Sequence, residues 1–307
     1  MKILFLGTPQ SAVPILETLN NSDHQVVGVV SQPARKKGRG QDLTESEVSA
    51  YAKSNKLPIF TPEKITKEYF DKNLVELKAD IAIVVAFGQI LPQDILDKIK
   101  FGWVNIHFSV LPDLRGAAPI QRAIMQGKTD LGVTIFKIDE GLDTGPIISQ
   151  ILYKRESSSN YQKTLHDLTE IAANNIVSIL KKYESGQLTT TKQTGFSSTA
   201  AKIDDKEMQI KWSDRSENII NLVNAGSYNL CAWTNLELTK IKILEIDKSD
   251  EIVDLKPGEI LVKNRMVLVG CGEGVIVLKQ IIPEGKKQMD AFSWINGIQD
   301  KSILQFS

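Results

Sequence analysis

"IAIVVAFGQILPQDILDKIKFGWVNIH", residues 81–107, decides how this chain folds. Ile81–Val85 is apolar at every position, as a strand covered on both faces of a parallel sheet must be. Pro92–Ile99 has helical spacing, and Trp103–His107 is a second strand-like run. Strand, helix, strand is the unit of a doubly wound α/β sheet. The alternation extends in both directions. Upstream, strands are expected over Lys2–Leu6, Gln25–Val30 and Pro58–Phe60. Helices are expected over Ala12–Leu19, up to about Ser54 after a Thr44/Glu47 capping box, and over Thr66–Leu77. Downstream come a helix at Ala118–Met125, β runs at Gly132–Lys137 and Pro146–Leu152, and a long helix at Tyr161–Tyr183. The expected first domain is a Rossmann-like, doubly wound, mostly parallel sheet.

After Tyr183 the composition changes. Glu184–Thr199 is rich in Ser, Thr, Gln and Gly without apolar periodicity, and reads as a linker. Beyond it lie a helix near Glu217–Ala225 and short strands at Ala232–Leu238, Ile241–Ile246, Glu259–Val262, Met266–Val269 and Gly274–Ile282. Closely spaced short strands suggest a small β barrel. The expected organisation is a first domain at 1–184, a linker at 185–203 and a second domain at 204–307, which suits a length of 307 residues.

The chain carries 37 basic and 37 acidic residues, so a polyanion would be met by a local patch and not by the overall field. Cys231 and Cys271 lack metal-ligand spacing and read as buried thiols of a reducing compartment. No stretch approaches the ~20 apolar residues of a membrane span. The opening Met1–Gly7 reads as a first strand, not a leader, and the expected location is cytoplasmic.

Asn105 and His107 stand two apart at the carboxyl end of a predicted strand, so they share a face where open α/β sheets place ligands. The loop-like Ser109-Val110-Leu111-Pro112 follows, and Asp143 lies in a glycine-flanked loop after another strand. A lone strand histidine is often structural, and an aspartate in "GLDTG" is often a turn former. Together, an amide, an imidazole and a carboxylate suit acyl transfer. The amide donates to a developing oxyanion, the imidazole moves a proton, and the carboxylate favours imidazolium. No G-x-S-x-G elbow signals a protein nucleophile, so the attacking group belongs to a substrate. Gly7-Thr8-Pro9 reads as a tight turn and lacks the G-x-G-x-x-G pattern of dinucleotide-binding proteins.

These residues carry a resemblance. Asn105-Ile106-His107, Ser109 through Gly116, and Asp143 resemble the signature of the folate-dependent formyltransferases. Ala117–Gln121, Gln32-Pro33 with Gly38-Arg39-Gly40, Ala86–Pro92 and Pro283–Met289 resemble the branch that formylates initiator methionyl-tRNA. The likeness covers nearly the whole chain, with Phe108 standing where the family has a small residue and Val110 where it has Leu. It implies 10-formyltetrahydrofolate as donor, initiator methionyl-tRNA as acceptor and no metal. A monomer is the expected state. The likeness also implies that Asn105 and His107 stabilise the oxyanion and that Asp143 orients His107. Ser109, Val110, Leu111 and Pro112, with Phe87, Gly88, Ile90 and Leu91, would hold the folate. The second domain would be an OB-like barrel that binds tRNA.

A basic stretch supports RNA binding from the residues themselves. Arg35, Lys36, Lys37 and Arg39 lie in what reads as a flexible loop, Ala34–Gly40, just beyond the second strand. The resemblance makes Lys36, Lys37 and Arg39 contacts to the acceptor end, and Lys286 and Lys287 offer further phosphate contacts. Formylation of an amino sugar or a purine precursor, hydrolysis of the donor, and binding without turnover remain as alternatives.

Overall fold

The structure, a computed structural model, describes residues 1–37, 42–298 and 304–307, and at Lys37 the backbone alone. In chain order the elements begin with β1 (Lys2–Gly7), α1 (Val13–Asn20), β2 (Gln25–Val30), β3 (Arg35–Lys37), β4 (Asp42–Thr44), α2 (Glu47–Ser54) and β5 (Ile59–Phe60). They continue with α3 (Lys67–Asn73), β6 (Ile81–Val85), α4 (Gln93–Leu96), β7 (Trp103–His107), α5 (Pro119–Met125), β8 (Asp130–Lys137), β9 (Ile147–Lys154) and α6 (Tyr161–Glu184). The last group is α7 (Ser216–Asn224), β10 (Ala232–Leu236), β11 (Thr239–Lys248), β12 (Ile260–Lys263), β13 (Met266–Gly270), β14 (Val275–Pro283), β15 (Met289–Asp290) and α8 (Ala291–Asn296). These form two compact units. One comprises Met1–Gly116, Asp130–Lys154 and Leu165–Thr199, the other Ala117–Thr129, Arg155–Thr164 and Ala200–Ser307.

The first unit is built on a seven-stranded sheet of order β5-β2-β1-β6-β7-β8-β9. β5, β2, β1, β6 and β7 run parallel, while β8 and β9 are antiparallel to their neighbours. The connection from β8 to β9 is too short for a crossover helix, so the two strands can only reverse. Ile3–Leu6 and Ile81–Val85 are buried at every position, as strands covered on both faces should be. Trp103 is fully buried, and its Nε1–H donates to the Ile95 carbonyl at 3.0 Å, which ties β7 to α4. Phe70 of α3 packs on the Trp103 ring at 5.9 Å.

Local details depart from expectation. The cap of α2 is Ser46, whose side chain accepts from the Ser49 backbone N–H at 3.0 Å. Thr44 is exposed and paired with Arg35, because β3 and β4 form an antiparallel ribbon out of the stretch expected as loop. The stretch expected as linker is laid down on the first unit at several points. Thr191 pairs with Ile147 and Thr199 with Arg115. Its polar side chains answer backbone groups instead of burying apolar area, so no periodicity announces its placement.

The second unit holds an antiparallel sheet of order β10-β11-β14-β13-β12, with β15 added on β14. Its outer strands are joined through the last residues, since Phe306 bridges Leu236 and Gln305 bridges Glu259. Those bridges cover part of each edge strand, the problem that barrels solve by closure. Phe306 also stacks on Trp212 at 5.2 Å and Trp294 at 6.1 Å within the core. α7 buries Ile219 and Val223 at helical spacing. Cys231 and Cys271 are buried, and burial pushes the Cys271 thiol up to about 11, so neither is a ready nucleophile. Among the described residues, no helix is long and apolar enough to cross a membrane.

Candidate active site

β7 delivers Asn105 and His107 to the carboxyl end of the sheet on one face. His107 is buried, at 6% exposure, and packs edge-on against Phe136 of β8 at 6.4 Å. Its Nε2 lies 2.9 Å from the Leu114 carbonyl, so Nε2–H donates there and Nδ1 is the free nitrogen of the neutral ring. Nδ1 faces the Asp143 carboxylate at 3.7 Å. Burial pushes the His107 imidazole below its usual range, and the Asp143 charge and the Leu114 carbonyl pull it back upward. The resting ring is therefore neutral, with a carboxylate waiting where a new proton would arrive. Asn105 is half-buried, and its amide has no hydrogen-bond partner among the described residues.

Asp143 is not the turn former of its loop. That part belongs to Asp139, whose carboxylate accepts from the Gly141 N–H at 3.1 Å and the Thr144 hydroxyl at 2.6 Å. Gly145 is required by close approach, because a Cβ there would stand 1.7 Å from the Lys137 carbonyl. Asp143 itself sits in the left-handed region (φ 53°), and its carboxylate accepts from the Gly116 N–H at 2.8 Å.

Ser109–Pro112 is held by two residues that sequence reasoning missed. The buried Thr134 hydroxyl donates to the Ser109 carbonyl at 2.6 Å and accepts from the Leu111 N–H at 3.1 Å. Gln150 donates to the Leu111 carbonyl at 2.8 Å. Thr134 stands opposite His107 in the ladder, and Gln150 opposite Thr134. Strand register could have found them, since residues facing a candidate strand residue are its first neighbours. Ser109 and Leu111 are buried, and Val110 and Pro112 half-buried. Leu114, which sets the tautomer of His107, was missed because a carbonyl has no sequence signature. Phe108 is buried and belongs to the core.

A cavity of about 330 Å³ opens where the strand order reverses, between the ends of β1 and β6, the usual ligand crevice of such sheets. Thr8, Pro9, Gln32, Arg35, Phe87 and Gly88 are among its walls. Gly7-Thr8-Pro9 is thus more than a tight turn. Thr8 and Gln32 both donate to the Phe87 carbonyl, at 3.0 and 3.1 Å. Gln89 anchors the stretch by accepting from Ile65 N–H and donating to the Pro62 and Glu63 carbonyls, which leaves Ile90 90% exposed beside the half-buried Leu91.

Of the basic residues, Lys36 is exposed on β3, and only the backbone of Lys37 is described. Arg39 lies outside the described residues. Lys286 and Lys287 are exposed in the turn from β14 to β15, where Gly285 takes a positive φ of 72°. No three His, Cys, Asp or Glu side chains gather as metal ligands among the described residues.

Residues 1–177 match the Formyl transferase family, and residues 202–299 match the family described as Formyl transferase, C-terminal domain. The chain is 38% identical to a methionyl-tRNA formyltransferase of Corynebacterium glutamicum (strain R), over 97% of this chain and 98% of that protein. Its fold is similar to the solved methionyl-tRNA formyltransferase from Clostridium thermocellum (TM-score 0.60, 15% identity, 82% of this chain and 96% of that one). It is also similar to HypX from Aquifex aeolicus in complex with tetrahydrofolic acid (TM-score 0.66, 17% identity, 97% of this chain and 47% of that one).

Proposed function

The chain belongs to the formyl transferase family, and from that premise we propose that it transfers the formyl group of 10-formyltetrahydrofolate to the α-amino group of initiator methionyl-tRNA. The observation that carries the reading is the state of His107. It is a buried imidazole, kept neutral by that burial, with one nitrogen fixed on Leu114 and the other open toward a carboxylate, beside an amide with no hydrogen-bond partner among the described residues.

The chemistry follows from those groups. The substrate amine attacks the formyl carbon, a new C–N bond forms, and the bond from that carbon to N10 of the donor breaks. Asn105 donates its amide N–H to the oxygen that gains charge. His107 holds the proton lost by the amine at Nδ1, directly or through water, and Asp143 stabilises the resulting imidazolium. The proton then passes to the leaving nitrogen, which is aniline-like and a poor leaving group until protonated. No acyl-enzyme forms.

The donor is held by Ser109, Val110, Leu111 and Pro112 and by Phe87, Gly88, Ile90 and Leu91. Thr134 and Gln150 fix the path of the first set before a ligand arrives, and the exposed Ile90 suits a ring face. Lys36, Lys37 and Arg39 hold the acceptor end of the tRNA. Arg35 and Thr44, at the base of the same ribbon, line the crevice. Lys286 and Lys287 add phosphate contacts from the second unit. Residues 1–184 carry the catalysis, 204–307 the remaining RNA contacts, and the protein acts as a cytoplasmic monomer.

The test supplies 10-formyltetrahydrofolate with methionyl-tRNA, then with amino sugars, then with buffer alone, and measures formyl transfer and tetrahydrofolate release. Transfer to methionyl-tRNA alone is expected. Transfer to an amino sugar without transfer to tRNA, or equal tetrahydrofolate release in buffer, would sink the proposal.

A further inference from the structure

Gln193 lies in the segment whose composition reads as linker, yet its half-buried side chain makes four hydrogen bonds. Its Oε1 accepts from Arg115 Nε at 3.1 Å and Nη2 at 2.7 Å. Its Nε2 donates to the Asp143 carbonyl and the Gly145 carbonyl, both at 2.8 Å. That uses the full capacity of a primary amide, two lone pairs and two N–H groups. One side chain therefore ties the 109–116 loop to the 139–145 loop.

The segment around it is fixed at both ends. Thr191 and Ile147 exchange backbone hydrogen bonds at 2.8 Å. The Ser198 hydroxyl accepts from the Leu114 N–H at 2.9 Å and its carbonyl from the Arg115 N–H at 2.9 Å. Leu114 supplies the carbonyl on one side of the His107 ring, and Asp143 the carboxylate on the other. Both partners of the imidazole thus hang on residues 191–199. Asp143 is held in the left-handed region at φ 53°, an arrangement that needs external restraint in a residue with a Cβ. Gln193 restrains it through the main chain, and Gly116 through the carboxylate.

We propose that Gln193 is a positioning residue for the reaction, holding Asp143 against His107 by clamping the Asp143 and Gly145 carbonyls to Arg115. It touches neither substrate nor the reacting atoms. The inference rests on the reading of His107 and Asp143 as the catalytic pair.

The experiment uses the full chain with Gln193→Met, Asp143→Asn and the double variant. Turnover is measured with 10-formyltetrahydrofolate and methionyl-tRNA. The chain has only 3 histidines, so the His107 imidazole can be followed by NMR with labelled histidine. The charged groups of the ring's two neighbouring loops are Asp113 and Arg115 on one and Asp139, Glu140 and Asp143 on the other, and Asp143 is the one that faces the ring, so a midpoint that moves in Gln193→Met reports the Asp143 carboxylate or that loop pair.

In Gln193→Met, kcat is expected to fall about 10- to 100-fold, the scale of a misplaced catalytic group, with the donor KM within about threefold. The His107 midpoint should move down, toward its value in Asp143→Asn. The double variant should be no slower than Asp143→Asn alone, because both changes remove the same interaction. Normal kcat, an unmoved His107 midpoint, or losses that multiply in the double variant would each overturn the assignment. If Asp143→Asn is itself fully active, the reading of the site has failed, and the inference with it. If Asp143→Asn is crippled and Gln193→Met is not, only the role of Gln193 is wrong. Should Gln193→Met not fold, Gln193→Asn carries the same test, since its amide is one methylene short of spanning both loops.

Discussion

Residues 109–116 and the described residues 34–37 and 42–44 both follow strands of the first sheet, yet they are held in opposite ways. In the first stretch, Ser109, Leu111, Leu114, Arg115 and Gly116 all spend main-chain groups on Thr134, Gln150, His107, Ser198 or Asp143. In the second, β3 and β4 pair mainly with each other, and Arg35 meets Glu63 at 3.8 Å with both side chains exposed. An exposed pair of that kind adds little rigidity. The difference suits the two tasks proposed for these stretches. Oxyanion and proton chemistry gains from groups fixed before substrate arrives. A phosphate backbone is gripped by charge and tolerates adjustment.

The comparison breaks most visibly at His107 and Asn105. His107→Ala and Asn105→Ala should each lower kcat by about 10²–10³ or more, with folding intact. Either variant with normal stability and near-normal kcat would remove that residue from the chemistry.

Next in size is Asp143→Asn, expected to lower kcat by about 10² with donor affinity largely kept. Its pH profile sharpens the point. Burial holds the His107 pKa below the ordinary 6.5, and Asp143 is the largest influence raising it. The acid limb of kcat/KM should therefore fall below pH 6.5 in the wild type and move lower still in Asp143→Asn. A limb that moves upward would contradict the arrangement. Stability has the same sign. His24 and His107 both have folded pKa values below the usual 6.5, His24 mainly through burial and then the nearby terminal amino group. Their contribution is complete above pH 6.5 and is lost as pH falls below it. Chemical denaturation at a series of pH values measures this.

A smaller effect is expected at the loop's support. Thr134→Val keeps shape but strands the Leu111 N–H and Ser109 carbonyl, at a cost of about 1–3 kcal/mol. The donor KM should rise more than the tRNA KM. Equal rises would mean that the hydroxyl does not serve the donor loop.

The smallest effect belongs to the basic ribbon. Lys36→Ala on the ribbon, and Arg39→Ala three positions on in the sequence, should raise KM for methionyl-tRNA and flatten the log–log salt dependence by about 1 unit per lost phosphate contact. Donor binding should not change. If Lys36→Ala altered kcat with saturating tRNA as strongly as Asp143→Asn does, the contrast between the two regions would collapse.

Sequence alone settled what depends on local patterning. The apolar runs at Gln25–Val30, Ile81–Val85 and Trp103–His107 became strands with those bounds, because burial on both faces leaves an unbroken apolar signature. Asn105 and His107 drew attention for a related reason, as polar groups at the end of a core strand, and the structure sets Asp143 3.7 Å from the His107 ring. Tertiary structure decided the rest. That Arg35–Lys37 is a strand, that Ser46 and not Thr44 caps α2, and that Ile147 pairs with Thr191 depend on partners distant in the chain. So does the fate of Thr191–Thr199. A hydrophilic segment is bound through hydrogen bonds to particular carbonyls and N–H groups, which every residue carries, so its sequence looks the same whether it is free or clamped. Only the fold could show that Gln193 and Ser198 close around the neighbours of His107.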